Sequence, residues 1–512
     1  MLQSTAAPNG QTPAGIGFGK GTDHPAQSPK GAPTGRAALD RVGSTQHVQQ
    51  PSAARPLGFA GSQLQRRELP RAVVQNYLQR QVTHRQEMAL ARSRLPVRPL
   101  PGERGFTGVP PAGESRFMAN EVVFQIGANT SQAAVDAAVR RLGLSTVGSY
   151  TSTLTGGTVL HLRIGEGRQL AEMVRALEAE NMGIAQPNYV YRVQQDPMLA
   201  ARTSVGDPAQ YVVGKLQLGE THRVATGSNV LVAVIDSAVD TRHPDLAGSI
   251  VEQFDAVGRA DRPHVHGTGM AGAIAAHRKL LGIAPNARIL AVHAFRPDAN
   301  ESAQATTQHI IAGLEWAITK GARVINLSFA GPYDPMLQLA IKRAREKGVV
   351  LVAAVGNLGP NSPPLYPAAD PNVIAVTATD QNDKVFAQAN QGPYVAVAAP
   401  GVNILEPAPN AGYQVTTGTS VAAAHVSGVA ALLLERNPSL DPAAVHEILT
   451  LSAKSIGPQG RDDKVGWGLI DPARALQFAE VRVAQDRKGT PAKLGSSPRP
   501  STSAKAGTVS AR

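Results

Sequence analysis

Six short, almost unbroken apolar runs dominate the second half of the chain: VLVAVID (230–236), ARILAVHAF (287–295), ARVINLSF (322–329), VVLVAAVGN (349–357), NVIAVTAT (372–379) and YVAVAAPG (394–401). Hydrophobicity without alternation over so few residues marks strands covered on both faces. TTQHIIAGLEWAITKG, PMLQLAIKRAREKG, the small-residue run that begins at Ser420 and DPAAVHEILTLSA carry helical spacing instead. Their alternation predicts an α/β domain over 211–480 on a doubly wound, mostly parallel sheet. Chemistry in such sheets gathers beyond the carboxyl ends of the strands.

A different pattern precedes it. EVVFQI (121–126), GTVLHLRI (157–164) and IAQPNYVYRV (184–193) read as strands, and SQAAVDAAVRRLG (131–143) and RQLAEMVRALEAEN (168–181) as amphipathic helices. This spacing predicts a small α+β domain over 117–194 of the split βαβ type, with no catalytic residues of its own. Residues 195–210 read as a linker. The first 62 residues are Gly-, Pro-, Ser-, Ala- and Gln-rich without periodicity, so 1–116 is expected to be a disordered leader. A helix is possible over 63–95, interrupted at Pro70. Its apolar stripe of Val73, Val74, Tyr77, Leu78 and Val82 is too thin for a core of its own, which suggests a surface helix or a docking segment. Residues 481–512 are expected to form a disordered tail.

Composition narrows the function. The formal charge of +12 resides in the ends: residues 1–116 hold 15 Lys/Arg against 6 Asp/Glu, and 481–512 hold 7 against 1. The middle is therefore slightly acidic, and the basic ends have few aromatics to stack on bases, which argues against a nucleic-acid partner. No cysteine is present, so disulfides and thiolate metal sites are excluded. No apolar run has the length of a membrane span, and the first residues lack the apolar core of a signal peptide.

Four polar residues stand at element ends with glycine nearby. Asp236 closes a buried strand, where a lone carboxylate is costly. His266 opens the small-residue helix HGTGMAGAIAA, where it can take a proton from a hydroxyl while an aspartate fixes its tautomer. Asn357 ends another strand with an amide able to donate to an oxyanion. Ser420 lies at the mouth of VAAAHVSGVAALLLER, facing the unpaired N–H groups of a helix start. Taken singly, each reads as a turn residue or a cap; together they are the parts of an acyl-transfer site. His264, two residues before His266, is expected to be a surface residue.

The strings VAVIDSAVDTRHPDL, HGTGMAG, LGIAPNARILAV, VINLSFAGP, VAAVGNLG and GTSVAAAHVSGVAALL resemble the subtilisin-like serine proteases over about 211–480. The order Asp, His, Ser is also theirs. The resemblance implies Asp236 as orienting acid, His266 as general base then acid, Ser420 as nucleophile, and Asn357 with the Ser420 backbone N–H as oxyanion hole. It further implies that Leu327, Ser328, Phe329 and Ala330, with Ala354, Val355 and Gly356, line a groove for protein or peptide substrates. The domain at 117–194 looks like an inhibitory propeptide, with autocleavage expected within about 193–212. Leu365 is expected to floor the pocket for the residue before the cut and to favour small side chains there. Gly269 stands where a second histidine is usual, Ala238 replaces a glycine, and Val421 and Ala424 replace Met and Pro; none of these removes a proton-transfer group. The loop AAHRKLLGIAP lacks the oxygen ligands of the usual calcium site, so no cofactor is expected. The family points to action outside the cytoplasm. The rival expectation is a catalytically weak scaffold that binds peptides in the same groove.

Overall fold

The computed structural model describes residues 70–489 apart from 97, 128, 195–209, 260, 299–301 and 459. The expectations for 1–69, for the linker from 195 to 209 and for 490–512 lie outside the described residues.

The chain enters through a long helix, α1 (Arg71–Ser93), directly after Pro70. The small domain follows as β1 (Phe117–Gly127), α2 (Gln132–Arg141), β2 (Leu144–Ser152), β3 (Gly157–Ile164), α3 (Leu170–Ala179) and β4 (Gly183–Val193). Its antiparallel strands run in the order β2–β3–β1–β4. Alternation decides what each face meets. Val122, Phe124, Leu160 and Leu162 pack beneath Val135, Val139, Val174 and Leu177 of α2 and α3. Val123, Val159, Tyr189, Tyr191 and Val193 point the other way and join the core of the larger domain. A sheet covered on both sides explains why β1 reads as an apolar run.

The larger domain holds α4 (Tyr211–Lys215), α5 (Leu218–Thr221), β5 (Leu231–Ser237), β6 (Ile250–Asp255), α6 (Val265–Ala275), β7 (Arg288–Pro297), β8 (Ala303–Thr306) and α7 (Thr307–Thr319). It continues with β9 (Val324–Leu327), β10 (Phe329–Ala330), α8 (Pro335–Glu346), β11 (Val350–Ala354), β12 (Ile374–Thr379), β13 (Val395–Pro400), β14 (Ile404–Ala408) and β15 (Gly412–Thr416). The last helices are α9 (Thr419–Arg436), α10 (Pro442–Ser452) and α11 (Pro472–Gly489). Strands pair in parallel in the order β13–β12–β11–β9–β5–β7–β6, so β5 and Asp236 lie in the interior of the sheet. Helix α9 is buried continuously from Thr419 to Leu434, which its run of Ala, Ser, Gly and Val permits by letting neighbours approach. The α/β expectation holds, although not every element was legible. β6, β8 and β15 are short or half-exposed strands with several polar residues, and β14 is a five-residue strand broken by Glu406 and Pro407, so none shows the apolar run that marks the others.

Three expectations need correction. Residues 70–116 are not a disordered leader, because α1 is seated on α10 and α11. Its buried positions are Tyr77, His84 and Ala91, seven apart, whereas Leu78 is 43% and Val82 66% exposed. The stripe expected from the sequence holds in part: Val73, Val74 and Tyr77 pack against the core, while Leu78 and Val82 face outward and the buried line runs on through His84 and Ala91. Lastly, the domain does not stop at 480, since α11 runs on to Gly489 and buries Phe478, Ala479 and Val481.

Candidate active site

Asp236 is placed by the carboxyl end of β5 and is fully buried. Its Oδ1 accepts from the Ser237 backbone N–H (2.7 Å), the Ser237 hydroxyl (3.0 Å) and His266 Nδ1 (2.7 Å). With the proton on Nδ1, the lone pair of Nε2 is free to act as a base, and Nε2 is buried with no hydrogen-bond partner among the described residues. His266 sits in the first turn of α6, and its ring is enclosed.

His264 corrects the sequence reading. It is the N-cap of α6, its ring Nδ1 accepting from the His266 backbone N–H (3.2 Å) and lying 3.0 Å from the Ser237 hydroxyl. Ser237 Oγ in turn accepts from Gly267 N (3.0 Å), tying the strand that carries Asp236 to the helix that carries His266. Neither Ser237 nor His264 was distinguishable in the sequence from an ordinary turn residue.

Ser420 occupies the first turn of α9, and its main chain is anchored from behind. Its carbonyl accepts from the Ser328 hydroxyl (2.8 Å), which accepts from Asn326 Nδ2 (2.8 Å), while Asn326 Oδ1 accepts from Ser427 (3.0 Å). All of these groups are buried, so the network is fully committed to holding the start of α9. Asn357 is oriented in the same way: its Oδ1 accepts from Thr419 N (3.2 Å) and Thr419 Oγ1 (2.8 Å), which leaves Nδ2 directed at the site.

The sequence did not reveal what fills the space between these groups. Gln194, the residue after β4, places its carbonyl oxygen 2.6 Å from Ser420 Oγ, which donates to it, and 3.0 Å from the Asn357 Nδ2 donor. Of the two oxyanion donors expected, the Asn357 amide is the one bonded to that oxygen. The Ser420 hydroxyl therefore points at the small domain's own chain and not at His266. The preceding residues form an antiparallel strand on both sides. Val190, Tyr191 and Arg192 pair with Thr306, Ala305 and Gln304, and Val193 and Arg192 pair with Phe329 and Ala330. Gln194 N–H also donates to the Ser328 carbonyl (3.3 Å).

Of the expected groove residues, Ser328, Phe329 and Ala330 thus bond the incoming strand, while Leu327 is a core residue of β9 facing the parallel sheet. Gly356 adopts φ +106°, and a Cβ there would meet Leu365 Cδ1 at 2.5 Å. Leu365 is buried against this wall. Ala354 and Val355 bond neighbouring strands, the Val355 N–H donating to Val376 O. The opposite wall, Gln304 to Thr306, was missed because β8 has only four residues and two of them are polar.

One buried acid lies behind the site. Glu406 Oε2 stands 2.6 Å from where a Cβ on Gly269 would sit, so the absent side chain at 269 is what makes room for this carboxyl. Burial first, and the nearby Asp236 charge, push it up to about 8, opposed by the Thr416 hydroxyl. Among the described residues, no group of three His, Asp or Glu is placed to hold a metal ion. No helix there is long and apolar enough to cross a membrane.

A family model described as the subtilase family matches residues 227–468. Thermitase of Thermoactinomyces vulgaris is 39% identical over 48% of this chain and 86% of its own. Fervidolysin of Fervidobacterium pennivorans is 30% identical over 60% of this chain, which spans about half, 52%, of fervidolysin. The minor extracellular protease Epr of Bacillus subtilis is 35% identical over 51% of this chain and 42% of its own. Among solved structures, that of fervidolysin, described as a keratinolytic enzyme related to subtilisin, superposes with a TM-score of 0.61 at 26% identity, covering 75% of this chain and 64% of that one.

Proposed function

Since the chain belongs to the subtilase family of serine proteases, we propose that it is an endopeptidase that first cuts itself after Gln194 and is held inactive by residues 117–194 until they leave. The observation that carries this reading is the Gln194 carbonyl, held by Ser420 Oγ and Asn357 Nδ2 at the end of a strand clasped between β8 and β10. A substrate would bind in the same manner, by adding a strand whose backbone supplies affinity.

Ser420 Oγ bonds to the carbonyl carbon as its proton passes to His266 Nε2, and the negative oxygen is held by the Asn357 amide. Asp236 keeps the proton of Nδ1 in place and stabilises the imidazolium. The C–N bond then breaks as Nε2 returns the proton to the leaving amine, and water repeats the sequence on the acyl-enzyme. No cofactor enters this scheme. Leu365 against Gly356 leaves little depth for the side chain before the cut. The Gln194 side chain instead turns back: its Oε1 accepts from Asn357 N (2.9 Å) and its Nε2 donates to Arg192 O (2.9 Å). Small residues, or polar ones that fold back in this way, suit the position. We place the activity outside the cytoplasm, in keeping with the name of the minor extracellular relative.

The test is fluorophosphonate labelling and intact-mass measurement of wild type beside Ser420→Ala. Wild type should label and yield a fragment beginning at Gln195, and Ser420→Ala should do neither. Unlabelled, uncut wild type would favour a peptide-binding scaffold instead.

A further inference from the structure

Tyr191 lies four residues before the bond assigned to cleavage, and its side chain enters a pocket of the larger domain. Although it stands on a docked strand, it is completely buried. Its ring meets Phe329 edge to face with centroids 5.7 Å apart, and a Cβ on Gly331 would collide with the ring. An aromatic side chain fits that space. The hydroxyl reaches further, to Asp334 Oδ2 at 3.2 Å and to Pro332 O at 3.3 Å.

Asp334 is almost wholly buried and caps α8, its Oδ1 accepting from Leu337 N (3.0 Å). Oδ1 also accepts from Gln186 Nε2 (2.7 Å), and Oδ2 from Thr307 Oγ1 (2.6 Å). Two of its four donors therefore belong to the larger domain and stay with it. The other two, Gln186 and Tyr191, arrive with β4. A cap needs only the first pair, so the carboxylate carries acceptor capacity directed at whatever occupies the groove.

We propose that Asp334 makes the enzyme select tyrosine over phenylalanine at the fourth residue before the cut, an inference that rests on Gln194 being the residue cleaved. Both rings fill the pocket equally. Phenylalanine, however, drives water from a buried carboxylate without returning a donor, whereas tyrosine restores the bond. A site built to hydrogen-bond a substrate hydroxyl rejects the analogue that lacks it, and a bond to a charged group corresponds to roughly ten- to a hundredfold here.

The experiment uses the full chain after self-processing and two peptides that differ only in Tyr or Phe at that position. Wild type should show a kcat/KM ratio of roughly ten to a hundred in favour of Tyr. Asp334→Ala should bring that ratio close to one; loss of the cap alone would lower both rates together and leave the ratio unchanged. Should Asp334→Ala fail to fold, Tyr191→Phe in the full chain provides the second measurement: it should hasten the onset of activity while the released enzyme keeps wild-type stability. A protein that labels with fluorophosphonate and digests casein, yet cuts both peptides at one rate or neither at all, overturns the role of Asp334 and leaves the protease reading intact. A protein that neither labels nor cuts anything overturns the underlying reading.

Discussion

Among the attachments of the segment preceding the catalytic domain, those of β4 and α1 differ in kind. β4 is held in the groove by main-chain bonds on both edges and by the reactive groups at Gln194, contacts that any extended peptide can make, to which Gln186 and Tyr191 add side-chain bonds to Asp334. α1 is held on α10 and α11 by side chains alone. Tyr77 sets its ring edge against Phe478 (5.2 Å), and His84 packs on Trp467 (4.6 Å) while bonding Thr450 Oγ1 (2.7 Å). Arg80 donates to the carbonyls of Leu451 (2.7 Å) and Ala453 (3.1 Å), which the end of α10 leaves unpaired. The first attachment must be replaceable by substrate, so backbone recognition suits it. The second is specific to this sequence, and cleavage after Gln194 breaks no contact in it.

The sharpest way to break the comparison is Tyr77→Ala in the uncut Ser420→Ala chain. Removing a buried ring of this size costs about 3–5 kcal/mol. Hydrogen exchange should accelerate across α1 while β4 stays protected; acceleration in both would make the two attachments a single unit. Asn357→Ala probes the other side. It should lower kcat by about 10²–10³, a magnitude carried over from subtilisin, with the exchange of α1 unchanged.

Acid separates the two attachments more gently. Burial, helped by Arg92 and Arg85, lowers His84 to about 4, and burial lowers His446 to about 3. Because the folded state resists protonation, stability is complete above the ordinary histidine value of 6.5 and declines as pH falls from there towards 4. Thermal stability followed by Trp467 fluorescence should therefore fall across that window, and His84→Gln should flatten the fall; an identical fall in the variant would assign it to other groups. The smallest effect belongs to Arg94→Ala. Its pair with Asp463 (2.6 Å) is solvent-exposed, so thermal stability should change by less than about 1 kcal/mol.

The parallel strands and the positions of Asp236, His266, Asn357 and Ser420 were legible because burial on both faces and element termini leave local signals. β8 was not, since the four residues Ala303, Gln304, Ala305 and Thr306 are too few to show a period. Nor was the seat of α1, because which face of a helix is buried depends on a partner more than 350 residues away. His264 and Ser237 look like turn residues until the strand and helix they join are brought together.

The sequence by itself determined the chemical groups and their order along the chain, because strand and helix ends are fixed by local patterning. Tertiary structure alone decided what those groups face. It turned Ser420 towards Gln194, Glu406 into the space left by Gly269 and the Tyr191 hydroxyl onto Asp334. Each is a contact between segments distant in sequence, set by how the packed elements meet and not by any run of residues.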